Sequence, residues 1–121
     1  MSAVDPLTGA LNTREFSAQL NKEITRANRY GRPFSVAYFD LDDFKAINDS
    51  FGHGAGDVLL QQVTQTIKSS IRSSDMIGRL GGDEFAVLFP ETPSLAVQDI
   101  VIQKSFVLGN RFILRKNEPF P

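Results

Sequence analysis

The stretch Met76-Ile77-Gly78-Arg79-Leu80-Gly81-Gly82-Asp83-Glu84-Phe85-Ala86-Val87-Leu88-Phe89 decides how this chain folds. Two apolar runs, residues 76–80 and 85–89, flank Gly81-Gly82-Asp83-Glu84. Gly-Gly is a favoured pair for a tight hairpin turn, and Pro90 closes the second run. The reading is two antiparallel strands with an acidic tip. Residues 34–41 (FSVAYFDL) are rich in aromatic and β-branched side chains and are bounded by breakers. They read as a buried strand that neighbours the hairpin in one sheet and ends at Asp40.

Helices surround these strands. Asn12 is placed to cap a helix, with Glu15 three residues on as its reciprocal partner. Phe16, Leu20, Ile24 and Ala27 form the apolar stripe of an amphipathic helix over Thr13–Tyr30, ended by Gly31-Arg32-Pro33. A short helix is expected over 44–51, broken by Gly52-His53-Gly54. A longer one follows over 54–71, with Leu59, Val63, Ile67 and Ile71 on one face. Residues 94–108 read as a possible helix and 111–115 as a possible short strand. The order predicts an α/β (α+β) fold, with helices packed on a sheet.

The chain has 121 residues, no cysteine, 41% hydrophobic and 22% charged residues, and a formal net charge of −1. That length fits one domain. The balance of charge does not advertise binding to nucleic acid or to an anionic membrane. The absence of cysteine excludes a disulfide framework, thiolate zinc sites and thiol catalysis. No apolar run approaches the roughly 20 residues of a membrane span, and Met1–Pro6 lacks the basic and apolar stretches of a signal peptide. The expected location is cytoplasmic.

Charge is nonetheless local. Asp40, Asp42, Asp43, Asp49 and Asp57 fall within 18 residues, with Lys45 the only base among them. Clustered acids on loops are most often a solvated surface. Here, however, Asp40 ends a strand, and ligands in α/β sheets bind beyond strand ends. Asp83 and Glu84 sit on a hairpin tip beside it. Three carboxylates converging from two places repel unless a cation offsets them. Oxygen-only ligation favours Mg2+, which commonly shares its shell with substrate phosphates. Gly81 and Gly82 let backbone approach a ligand where a Cβ would clash. These features imply a metal-assisted nucleotide site.

The heptad Arg79-Leu80-Gly81-Gly82-Asp83-Glu84-Phe85 resembles the signature of GGDEF-domain diguanylate cyclases. Asp5-Pro6-Leu7-Thr8-Gly9, Phe39-Asp40-Leu41-Asp42-Asp43-Phe44-Lys45, Asn48-Asp49, Gly52-His53 and Gly56-Asp57 resemble the same family, in its order and spacing. The resemblance implies a nucleotidyl-cyclase, ferredoxin-like palm. It implies that two GTP condense to cyclic di-GMP and two pyrophosphates across a homodimer. It further implies that Asp40, Asp83, Glu84 and the Leu41 carbonyl bind Mg2+ or Mn2+, and that Asp83 is the base for the 3′-hydroxyl. Lys45 would face phosphate, and Asn48 and Asp57 would read guanine. Read alone, Lys45 is a solvated lysine, Asn48 a helix-end cap, and Asp57 an acid favoured in a first helical turn. Arg72-Ser73-Ser74-Asp75 resembles the family's inhibitory product-binding motif, with Arg79 contributing. His53 lacks partners for a triad or zinc site and reads as structural.

The resemblance divides the chain at about residue 93. Residues 1–93 match the N-terminal and central part of the domain, and 94–121 form a divergent tail. The family's later strand has no recognisable counterpart, so the Asp40 strand is expected to expose an edge unless 111–115 substitutes. Two alternatives to the enzyme follow: a non-catalytic module holding GTP or cyclic di-GMP, and a remnant that cannot fold alone.

Overall fold

A computed structural model describes residues 2–41, 44–93 and 111–116. Asp42, Asp43 and the possible helix at 94–108 lie outside the described residues. The elements in order are α1 (Thr13–Tyr30), β1 (Ser35–Asp40), α2 (Phe44–Phe51), α3 (His53–Lys68), β2 (Met76–Gly81), β3 (Glu84–Phe89) and β4 (Arg111–Lys116).

Helix α1 begins and ends as its sequence dictates. The Asn12 side chain accepts the Glu15 backbone N–H at 2.9 Å, satisfying one of the free amides of the first turn. Gly31 closes the helix in the left-handed region at φ 69°. Helix α3 starts at His53 and stops at Lys68, three residues short of the expected Ile71. The Ser69 and Ser70 hydroxyls bond back to the Gln65 and Thr66 carbonyls there. Such bonds compete with continued helix.

The four strands form one sheet in the order β2-β3-β1-β4, and every neighbouring pair is antiparallel. The sheet is buried on both faces. Phe16 and Leu20 of α1 pack on Val36, Ala86 and Leu88, with Ile24 and Ala27 beside them. Leu60, Val63 and Ile67 of α3 pack on Ala37, Phe39, Ile77, Phe85 and Val87, with Leu59 and Ile71 beside them. Two-sided burial explains why β1 and β3 read as continuous apolar runs rather than alternating ones.

The β1 edge expected to lie bare is covered. β4 pairs with all of β1, from Ser35↔Lys116 to Asp40↔Arg111. The strand reading of 111–115 therefore holds, extended by one residue, and it supplies β1's second neighbour. Among the described residues no helix is long and apolar enough to cross a membrane.

Candidate functional site

The candidate residues fall at two ends of the sheet, one at the hairpin tip and one at the opposite end of β2. At the tip end, β1 and β3 are registered so that Asp40 lies directly across from Glu84. One step inward Phe39 lies across from Phe85, their rings stacked at 5.2 Å and 7°. Such a pair contributes about 0.5–1.5 kcal/mol beyond its burial. It also locks the register, because a one-residue slip would drive a carboxylate into the core. The Leu41 N–H then donates to the Asp83 carbonyl at 3.2 Å, joining the end of β1 to the turn itself.

Asp40, Asp83 and Glu84 have no hydrogen-bond or ion-pair partner for their carboxylates among the side chains described in residues 2–41 and 44–93. Among the described residues no group of three or more His, Cys, Asp or Glu could hold a metal ion. Asp40 and Glu84 share a ladder pair, whereas Asp83 sits in the turn, outside the ladder. Two facing carboxylates with the Leu41 backbone beside them are hard oxygen donors. That set suits Mg2+, which takes one or two carboxylates and completes its shell with phosphate and water.

The glycines of the tip serve neither conformation nor packing. Neither Gly81 nor Gly82 takes a left-handed φ. A Cβ on Gly82 would meet nothing within 4 Å, and one on Gly81 only Glu84 Oε2 at 3.8 Å. The tight turn forms without a left-handed residue at either glycine. They leave open space in front of the turn, which lets a ligand approach the backbone.

Helices α2 and α3 meet through Gly52, whose φ of 89° only glycine adopts without strain. The turn brings the Asn48 amide onto Gly56. A Cβ at Gly56 would land on Asn48 Oδ1. That oxygen is buried and has no partner in the structure. A buried acceptor left unpaired costs about 1–3 kcal/mol and calls for a donor. Asp57 follows Gly56 directly and is exposed, as is Lys45 on α2.

At the other end, the Arg72 guanidinium grips Asp75, with NH2 at 3.1 Å from Oδ1 and Nε at 3.4 Å from Oδ2. The same NH2 donates to the Pro90 carbonyl and, at 2.6 Å, to Thr92 Oγ1. Arg72's side chain is 60% exposed and Asp75's only 2%. An open cleft of about 600 Å³ runs beside Arg72, Ser73, Ser74 and Asp75 toward Gly9 and Leu11.

Arg79 is not part of that cluster. It lies toward the far end of β2, where its Nε and NH2 donate to the Gly82 carbonyl at 3.0 and 2.9 Å. Its NH1 pairs with both oxygens of Asp5. Its donors are committed to the tip and the N-terminal loop, so it does not join Arg72 and Asp75. Burial raises the Asp5 pKa, but hydrogen bonds from the Thr8 hydroxyl and amide and the Arg79 charge outweigh it. The net result holds the carboxyl below the usual aspartate range. Sequence reading missed the roles of Asp5, Thr8 and Thr92. Asp5-Pro6-Leu7-Thr8-Gly9 resembled a family motif, but nothing local pointed to its Arg79 partner, 74 residues away.

Comparison with known proteins agrees with this geometry. A family profile described as "Diguanylate cyclase, GGDEF domain" matches residues 2–114. The chain is 40% identical over 94 residues to the probable diguanylate cyclase DgcC of Escherichia coli, covering 78% of this chain and 25% of DgcC. It is 46% identical over 88 residues to the diguanylate cyclase DosC of E. coli, covering 73% of this chain and 19% of DosC. The chain thus spans about a quarter or less of these curated relatives. Among solved structures, a microbial GGDEF domain described in an interaction with cyclic di-GMP superposes with a TM-score of 0.84 at 32% identity. The match covers 94% of this chain and 74% of that one. With the profile match extending over most of its residues, the chain belongs to the diguanylate cyclase GGDEF-domain family.

Proposed function

We propose that this chain is a diguanylate cyclase domain that condenses two GTP into cyclic di-GMP, releasing two pyrophosphates. The observation that carries the reading is the Asp40↔Glu84 register, which brings two distant acidic motifs to one end of the sheet. None of the side chains described in residues 2–41 and 44–93 pairs with these carboxylates. Mg2+, or Mn2+, held by Asp40, Asp83, Glu84 and the Leu41 carbonyl would offset the triphosphate charge and stabilise the in-line displacement.

The chain's own groups account for the rest. Asn48 Oδ1, buried and unpaired, accepts an N–H of guanine, and Asp57 accepts another. Lys45 faces the phosphates. The open space before Gly81 and Gly82 admits the α-phosphate. Asp83 takes the proton of the attacking 3′-hydroxyl as the O–P bond forms and pyrophosphate leaves. Two copies must face each other, because each supplies one GTP. Arg72 and Asp75 hold the product: among the described residues NH1 of Arg72 is uncommitted, and the guanidinium is exposed. A cytoplasmic setting, where GTP is available, belongs to the same proposal.

Purified protein incubated with Mg2+ and GTP should yield pppGpG or cyclic di-GMP on chromatography, and Asp83→Asn should abolish both. No product at high protein concentration overturns the enzymatic reading. A second reading, a non-catalytic module binding GTP or cyclic di-GMP, is favoured by one observation: no three-ligand metal group forms among the described residues. Calorimetry with each nucleotide on an inactive chain would support that reading, and no heat with either would end it.

A further inference from the structure

We propose that Arg79, anchored by Asp5, is a positioning residue that fixes the peptide before Asp83 and so aims the Asp83 side chain. The inference rests on the cyclase reading above. It begins with the backbone of the turn. Asp83 is pinned on its C-terminal side, where its carbonyl accepts the Leu41 N–H at 3.2 Å. On its N-terminal side the Gly82 carbonyl accepts two N–H groups of Arg79. A peptide is planar and trans, so fixing the Gly82 oxygen also turns the Asp83 N–H to the opposite side. Both peptide planes flanking Asp83 are thereby held, and its Cα–Cβ direction follows.

Arginine suits this task because its fork presents donors in fixed directions. Two donors reach Gly82, while NH1 lies 3.3 and 3.2 Å from the Asp5 oxygens. Both side chains are sheltered, at 19% and 18% exposure. Asp5 is itself immobilised. Its Oδ2 accepts the Thr8 N–H at 3.0 Å and the Thr8 hydroxyl at 2.7 Å. The loop carrying it is clipped to β2 by Leu11 N–H to Ile77 and by Arg79 N–H to Leu11, both at 2.9 Å. Lys68 of α3 donates to Gly9 from the other side. A hairpin tip, ordinarily among the loosest parts of a sheet, is thus tied to the sheet edge and to α3.

The test uses Arg79→Lys and Asp5→Asn in the full chain. Lysine keeps the charge, but its single ammonium cannot serve the carbonyl and the carboxylate with the same geometry. Each variant should keep a cooperative melt and lose about tenfold or more in kcat with little change in KM, since small misplacements cost large factors in rate. Amide exchange at residues 82–84 should accelerate in both. Wild-type kcat and wild-type exchange in a folded variant overturn the proposal, as does a loss confined to KM. If Arg79→Lys does not fold, Asp5→Asn decides, because it leaves the Gly82 contacts in place. Wild-type protein that makes no product refutes the cyclase reading instead, and amide exchange at residues 82–84 alone then decides whether Arg79 clamps the turn.

Discussion

Gly82→Ala separates what the fold needs from what a ligand needs. Gly82 does not take a left-handed φ, and an added Cβ would meet nothing within 4 Å. The folded state therefore has no reason to resist alanine. The unfolded chain loses freedom, and such replacements stabilise by about 0.4–1 kcal/mol when the native conformation is compatible. For a domain of this size that raises the melting temperature by about 2–4 °C. The same methyl group occupies the space proposed for the α-phosphate, so turnover should fall by at least about tenfold, as expected when reacting atoms are displaced. The assay is a thermal melt alongside GTP turnover on the same preparation. Destabilisation beyond about 2 kcal/mol would show a strained or packed position, a signature of named defects rather than of an open surface site. Unchanged turnover with unchanged stability would show that no ligand approaches this backbone.

Gly78→Ala should behave in the opposite way, because a Cβ there would sit 2.5 Å from Phe16 Cδ1 and 2.7 Å from Cγ. Overpacking of that kind costs about 1–3 kcal/mol, seen as a lowered denaturation midpoint. Asn48→Ala removes a buried acceptor that has no partner, so stability should hold or rise while GTP binding by calorimetry weakens about tenfold. The pH dependence has a defined sign. The Asp5 pKa is lowered in the folded chain, so its stabilisation is full above the unfolded value. It is lost as pH falls below about 4 through the folded value, and Asp5→Asn should flatten that part of the stability curve.

Much of this fold is legible in residue order. The run at 34–41 and the paired runs about Gly81-Gly82 read as strands because breakers bound them, and β1, β2 and β3 form there. The Asn12 cap and the Phe16, Leu20, Ile24, Ala27 stripe gave α1 to the residue. The strand reading at 111–115 was legible too, and its pairing with β1, a non-local contact, entered only as a substitute for the family's missing strand. Leu60, fully buried against the sheet, fell outside the four-residue spacing read along α3. At the site, sequence placed Asp40, Asp83 and Glu84 together, yet could not say that Asp40 and Glu84 share a ladder pair while Asp83 stands in the turn. Arg79 was read together with Arg72 and Asp75, whereas its donors face Gly82 and Asp5. Its proximity in sequence to Arg72 and Asp75 hides a strand's length of separation, about 3.3 Å per residue.

The proposed function requires nucleotide phosphates at the hairpin tip and guanine between α2 and α3. Chemical-shift mapping with Mg2+ and a non-hydrolysable GTP analogue tests it most directly. The account predicts shifts at Leu41, Asn48, Asp57 and residues 81–84. Shifts confined to the Arg72–Asp75 end, or none at all, would contradict it.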